Sequence, residues 1–309
     1  MKSVTDHAST TSPARRQFMR QGLVLAAGLG FGNTLSATSG GSPAGTAAHE
    51  PMTVFDSHLH CPGDDGDSGQ WYPVTKTFDD FVAYLDRTGV GRGVVNSVRA
   101  LNAKTPAGFI AGNRDVARHI EKYKGRFLGA CQVHPAFPQE SARELEDCRK
   151  QLGFVWVGEI CNYIVNPYEY TSKNFALLVE QIVKLNMVLH VHTELDEMQY
   201  LIRTFPQATI VFAHFGDSHE EENIFKRIDA VAAAKNCYLD TSGYGHDRMG
   251  VLEYAVKSIG PDRILFGSDF TVNDPSTVLA RIHCAFLTEE QKLKILSENL
   301  QALLKKFTV

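Results

Sequence analysis

Eight short runs rich in β-branched and apolar residues recur along the chain, at 53–58, 92–98, 127–133, 154–160, 187–192, 209–214, 236–241 and 263–268, each followed by an amphipathic stretch. In "SKNFALLVEQIVKLN", for instance, Phe175, Leu178, Val179 and Ile182 fall at helical spacing. Strand and helix alternating eight times in about 260 residues is what a closed parallel barrel needs, because each parallel strand requires a crossover and the eighth can pair with the first. The pattern predicts a single (β/α)8 TIM barrel spanning 49–309. A doubly wound open sheet is the rival architecture, but no Gly-x-Gly-x-x-Gly follows the first run. At the end of the chain, "LTEEQKLKILSENLQALLKKF" offers Thr288 and Gln291 as a capping box and Leu293, Leu296, Leu300, Leu303 and Phe307 as an apolar stripe, predicting a helix against the barrel wall.

The first 48 residues have a different character. Arg15 and Arg16 precede Phe18 and Arg20, and an uncharged apolar run extends from Gly22 to Leu35 before a Gly/Ser/Ala/Thr-rich tail. This is the pattern of a twin-arginine signal followed by a linker, with cleavage after Ala37 or Ala48. The run is short and glycine-rich for a membrane span of about 20 residues, so stable membrane insertion is not expected. The reading implies passage through a twin-arginine translocase and a periplasmic location. Removing residues 1–37 takes away four Lys/Arg and one Asp, which moves the formal charge from -4 to -7. With no basic excess, the chain lacks the electrostatic footprint of a nucleic-acid binder. The six cysteines contain no Cys-x-x-Cys pair and read as small buried residues rather than a disulfide framework.

With the strands placed, the polar residues at their C-terminal ends can be read in order. His58 and His60 end the first run, in "TVFDSHLHCPG", where period-two alternation puts both imidazoles on one face. Glu159 follows on the fourth, His192 on the fifth, His214 on the sixth, and Asp269 lies just after the eighth. Barrels of this kind assemble their active sites at that end from several strands. Imidazole nitrogens and carboxylate oxygens suit a divalent cation, Zn2+ above all, as one ion or two, with a position left open for water. Such an ion lowers the pKa of its water toward neutrality, and Asp269 is placed to accept the proton besides ligating. His214 is a candidate for polarising a substrate carbonyl or relaying a proton. The polar, glycine-rich segment 61–76 intervenes before the first helix and is expected over the mouth, with Trp71 and Tyr72 at the pocket entrance. Arg99, ending the second run, is a candidate for a substrate carboxylate, and His246 and Arg248, after the seventh, for further substrate contacts. His134 is expected either to support a ligand side chain from behind or to be structural. Ser57 and Ser242 have no histidine partner that the sequence identifies, so no serine nucleophile is expected.

The segments "FDSHLH", "NRDVARHIEKYKGRFLGACQVHP", "VLHVHTE", "IVFAHFGDS", "CYLDTSG", "ILFGSDF" and "ILSENLQALL" occur in that order across most of residues 53 to 305. In them the chain resembles the amidohydrolase superfamily, and within it the amidohydrolase-related group that includes aminocarboxymuconate semialdehyde decarboxylase-like enzymes. The resemblance implies that His58, His60, His192 and Asp269 are metal ligands and His214 a catalytic histidine. Glu159 stands where binuclear members use a bridging or second-metal ligand; the alternative is an acceptor that orients a ligand histidine. These features lead to a metal-dependent hydrolase cleaving an amide, lactone or ester bond in a small molecule. A non-oxidative decarboxylase of an aromatic or unsaturated acid is the alternative on the same scaffold, and a non-catalytic binding barrel is disfavoured by the full ligand set. A deoxyribonuclease variant is disfavoured by the acidic mature chain. Homo-oligomerisation is left open.

Overall fold

The computed structural model describes residues 53–307 apart from 65, 68, 71 and 217–220, so the expectations for residues 1–48 and for Trp71 lie outside the described residues. Eight strands form one parallel sheet in sequence order: β1 (Val54–Cys61), β2 (Val90–Ser97), β3 (Phe127–Cys131), β4 (Trp156–Ile160), β5 (Val188–Val191), β6 (Ile210–Phe212), β7 (Cys237–Asp240) and β8 (Ile264–Leu265). The segment after β8 returns to β1 through backbone bonds from Ser57 N–H to Phe266 O (2.8 Å) and from Asp269 N–H to His58 O (2.9 Å), and through a parallel bridge between Leu59 and Phe270. This closure makes the predicted (β/α)8 barrel.

The connections carry α1 (Phe78–Thr88), α2 (Val98–Leu101), α3 (Pro106–Lys122), α4 (Pro138–Lys150), α5 (Lys173–Lys184), α6 (Leu195–Thr204), α7 (Glu221–Ala233), α8 (Val251–Ile259), α9 (Pro275–His283), α10 (Glu289–Leu293) and α11 (Asn299–Lys305). Their starts follow local chemistry. Thr77 and Asp80 make a reciprocal capping box for α1, whose end is released by Gly89 in the left-handed region, at φ 80°. In α5 the predicted Phe175, Leu178, Val179 and Ile182 are the buried face. Among the described residues no helix is long and apolar enough to cross a membrane.

Two apolar layers result. Between strands and helices lies the larger core, which includes Leu59, Val95, Leu189 and Phe212. Inside the barrel, Phe55, Val94, Ala130, Trp156, Val188, Val211, Tyr238 and Leu265 form a second cluster with Leu300, Leu303, Leu304 and Phe307. The C-terminal stripe is therefore divided: Leu296 lies in the core along the wall, as expected, whereas Leu300, Leu303 and Phe307 close the end of the barrel opposite the strand C-termini. Thr288 and Gln291 do form the capping box, but a π-helical turn at Lys294–Glu298 interrupts the helix and swings α11 under the strands. Leu303 is almost fully buried. Leu303→Ala should cost about 2–5 kcal/mol in denaturant unfolding, the usual range for such a truncation in a well-packed core; a change below about 1 kcal/mol would mean that the plug is loosely seated.

Five cysteines are buried as expected, whereas Cys284 is exposed, because it caps α9 on the outer surface.

Candidate metal centre

The strand register decides which side chains face the barrel interior. Along β1, Phe55 points inward and Leu59 outward, and a register irregularity between Asp56 and Leu59 switches the alternation. The bulge re-aims His58 and His60 to the inside. Asp56 stabilises this turn: Oδ1 accepts the N–H groups of His58 (2.8 Å) and Ser268 (3.1 Å), and burial pushes its carboxyl up to about 7.

Four donor atoms converge at the C-terminal ends of the strands. Nε2 of His58 and Nε2 of His60 lie 3.0 Å apart. Oε2 of Glu159 is 3.3 Å from the first and 3.5 Å from the second, while Oδ1 of Asp269 is 3.5 Å and 2.9 Å from them. Ligand atoms about 2.0–2.1 Å from a common tetrahedral ion sit roughly 3.3–3.4 Å apart, so the spacing fits one cation among them. The far nitrogens strengthen the fit. Nδ1 of His58 lies 2.9 Å from Oδ2 of Asp240, and Nδ1 of His60 lies 2.9 Å from the side-chain oxygen of Asn96. Both partners are acceptors, so each Nδ1 carries the hydrogen and the two Nε2 atoms turn lone pairs toward each other. Buried beside Glu159, Asp240 and Asp269, that arrangement calls for positive charge, as bound protons or as a divalent ion.

The protonation of the ion-free protein shows this demand. Burial lowers the His58 imidazole, but the carboxylates of Glu159, Asp240 and Asp269 carry it well above its ordinary value. Burial likewise opposes the charge on His60, while hydrogen bonds to Asp269 and Glu159 raise it to about 9. A metal must displace that proton. Below pH 9 the apparent affinity for Mn2+ should therefore fall about tenfold per pH unit for each proton displaced. Titrations at pH 6, 7 and 8 check the slope, and a flat profile would contradict it.

Glu159 reaches in both directions. Its Oε1 lies 3.1 Å from Nδ1 of His192 and 3.5 Å from Nε2 of His214, so a second donor group, Glu159, His192 and His214, adjoins the first. His192 thus sits on the far oxygen of Glu159, whose other oxygen lies beside His58, His60 and Asp269. His214, on left-handed backbone at φ 66°, is pushed down to about 4 by burial and the neighbouring His192, which keeps it neutral. Asp269 is also left-handed, at φ 60°. Such backbone in bulky residues is held only where the surroundings over-determine it. For His214 that support includes a bond from its N–H to Oδ1 of Asp240 (3.1 Å) and the buried Arg227 guanidinium, which bonds the carbonyls of Thr193, Ala213, His214 and Phe215.

A cavity of about 340 Å³ opens above this floor, walled by Val98, Leu101, Tyr163, Ile164 and Val272. Among the described residues no lysine or arginine lines it. Arg99 pairs with Asp115 (2.9 Å) and is outside the lining of this cavity. Tyr72 is 82% exposed and borders a neighbouring groove rather than this cavity. His246 is turned to the carbonyl of Gly243 (2.6 Å) and Arg248 lies over the Tyr244 ring, and neither lines the cavity. His134 bonds Val165 O (2.8 Å) and is outside the lining of this cavity. Sequence reasoning missed Asp240, although it ends β7 as the named residues end their own strands; applying the strand-end rule to the seventh run would have found it. It also left Ser242 without a histidine partner, whereas Oγ lies 2.8 Å from Nδ1 of His214. Its hydroxyl is fully buried and outside the cavity lining.

A family profile described as Amidohydrolase matches residues 55–306. No curated protein matches the chain significantly. Several solved structures share the fold. A dihydroxybenzoic acid decarboxylase from a Polaromonas species, with bound manganese and the inhibitor 2-nitroresorcinol, superposes at TM-score 0.66 with 20% identity, covering 82% of this chain and 97% of its own. A 5-carboxyvanillate decarboxylase from Novosphingobium aromaticivorans, complexed with manganese and 4-hydroxy-3-methoxy-5-nitrobenzoic acid, reaches 0.67 with 13% identity over 84% of this chain and 98% of its own. A probable 2-pyrone-4,6-dicarboxylic acid hydrolase from Acinetobacter baumannii, with citric acid bound, reaches 0.59 with 17% identity over 82% and 100%.

Proposed function

Because the chain belongs to the amidohydrolase family, we propose that it is a metal-dependent enzyme that removes the carboxyl group of an aromatic or unsaturated acid without oxidation. One observation carries the reading: a donor set for a divalent cation forms the floor of a small apolar-walled cavity that no described lysine or arginine lines. A carboxylate entering such a cavity needs its counter-charge from a bound cation. Two of the structural relatives named above are decarboxylases of aromatic acids holding manganese, which supports placing decarboxylation ahead of the hydrolysis expected from the sequence, and Mn2+ beside Zn2+ as the metal.

His58, His60, Glu159 and Asp269 would hold the ion. When bound, it supplies Lewis-acid polarisation of the substrate's oxygens. The chain's residues do the rest. The apolar walls seat the ring and exclude water. The bond between ring carbon and carboxylate breaks, CO2 leaves, and the electron pair left on the carbon takes a proton, for which Asp269 is the carrier. Asn273 Nδ2 donates to Oδ2 of Asp269 (2.9 Å) and fixes its orientation. Neutral His214 serves as an acceptor toward the substrate.

Hydrolysis of an amide, lactone or ester is the second reading, favoured by the position of Glu159 between two donor groups, which suits two ions. Incubating the Mn2+-loaded protein with aromatic acids, lactones and amides separates the two. Stoichiometric CO2 release from an acid, with about one ion per chain, supports the first; cleavage of lactones or amides without CO2, with two ions per chain, contradicts it. The export reading of residues 1–48 stands as a further proposal: replacing Arg15 and Arg16 together by Lys should leave precursor in the cytoplasm, and normal periplasmic accumulation would overturn it.

A further inference from the structure

Behind the floor of the cavity, the Ser242 hydroxyl lies where His58, His214 and Asp240 meet. Oγ is 2.8 Å from Nδ1 of His214 and 3.0 Å from Nδ1 of His58, and the hydroxyl hydrogen goes to Oδ1 of Asp240. A hydroxyl has one hydrogen to give. Once that hydrogen is committed to the carboxylate, Oγ can only accept from the imidazoles, so Nδ1 of His214 must carry its own hydrogen and Nε2 keeps a lone pair for Nδ1 of His192, 3.2 Å away. The two histidines do not depend on the serine equally: Nδ1 of His58 has Oδ2 of Asp240 as a second acceptor at 2.9 Å. Around Nδ1 of His214, the hydroxyl is the acceptor that the described contacts provide.

We propose that Ser242 is a positioning residue that locks His214 in the Nδ1–H tautomer and thereby keeps its Nε2 free to accept a hydrogen bond or ligate an ion. Asp240 orients the serine in turn, taking the backbone N–H of Ser242 on the same oxygen (3.0 Å). The chain Asp240, Ser242, His214 thus works as an orienting carboxylate, hydroxyl and imidazole in series, with the reactive nitrogen at the far end.

The tautomer can be read without substrate or metal, on the full chain labelled with 15N-histidine. Two-bond 1H–15N correlation spectra, with the His214 signals assigned by their loss in His214→Gln, should show a protonated Nδ1 and a bare Nε2. Ser242→Ala should shift the population to Nε2–H or mix the two forms, and Ser242→Thr, which restores a hydroxyl, should return the original pattern. Ser242→Cys, a poor acceptor of similar volume, should behave as alanine does and serves if the alanine variant does not fold. The kinetic arm rests on the decarboxylase reading: with the acid that is turned over best, Ser242→Ala should lower kcat about 10–100-fold with a smaller change in KM, while Mn2+ affinity changes less than tenfold because His58 keeps Asp240. A folded alanine or cysteine variant retaining the original tautomer would overturn the inference, as would failure of threonine to restore it. If no acid is turned over, the decarboxylase reading fails and the spectra still decide the role of Ser242.

Discussion

Asp269→Asn should lower turnover by about 10²–10⁴-fold while the barrel stays folded. The range is that of a lost positioned proton carrier, and the amide can neither carry the proton nor ligate with the strength of a carboxylate. The side chain of Asp269 reaches His58 and His60 at the cavity floor, so the core is untouched by the change. A purely structural role as helix cap would predict near-normal turnover, since Asn caps about as well as Asp. That role already belongs to Asp274, whose side chain accepts from Ser276 N–H at the start of α9. Steady-state kinetics on the best acid, with thermal unfolding alongside, make the comparison. A folded variant keeping most of its activity would remove Asp269 from the chemistry.

The second large effect concerns binding. In the double change His58→Ala with His60→Ala, Mn2+ affinity should fall on the order of 10⁴-fold, taking a binding free energy of roughly 10–16 kcal/mol shared among four ligands. Glu159 and Asp269 remain, but two carboxylates hold a divalent ion weakly without the imidazoles. The change also takes the His58 imidazole from the buried Asp240, which keeps His190 at 3.0 Å, so the variant's unfolding must be followed in parallel. Equilibrium dialysis with metal analysis reads the affinity. Full occupancy at micromolar Mn2+ in a folded double variant would mean that the histidine pair is not the ligand pair.

The barrel was legible because its evidence is periodic: every parallel strand is buried on both faces and reads as an apolar run, and every crossover helix shows one apolar face. The strand-end histidines and carboxylates were legible for the same reason, since the position of a residue at the end of a run says where it stands in the barrel. Partner choice was less accessible. Arg99 lies at a strand end, yet Asp115 of α3 captures it, and no local pattern announces that pairing. Arg227 sits in the middle of α7 and looks like a surface charge until the fold brings four carbonyls to it. The segment 61–76 has no period, so expectations for its aromatic residues rested on composition alone, and Tyr72 turns outward. The C-terminal stripe was read correctly as apolar, but the π-helical turn that redirects it beneath the barrel left no mark in the hydrophobic pattern.

Anomalous diffraction at the manganese edge from crystals soaked in Mn2+ tests the central claim most directly. The account predicts a peak about 2.0–2.3 Å from Nε2 of His58, Nε2 of His60, Oε2 of Glu159 and Oδ1 of Asp269. A soaked crystal with no peak there, or with its only strong peak at another group of side chains, would contradict it.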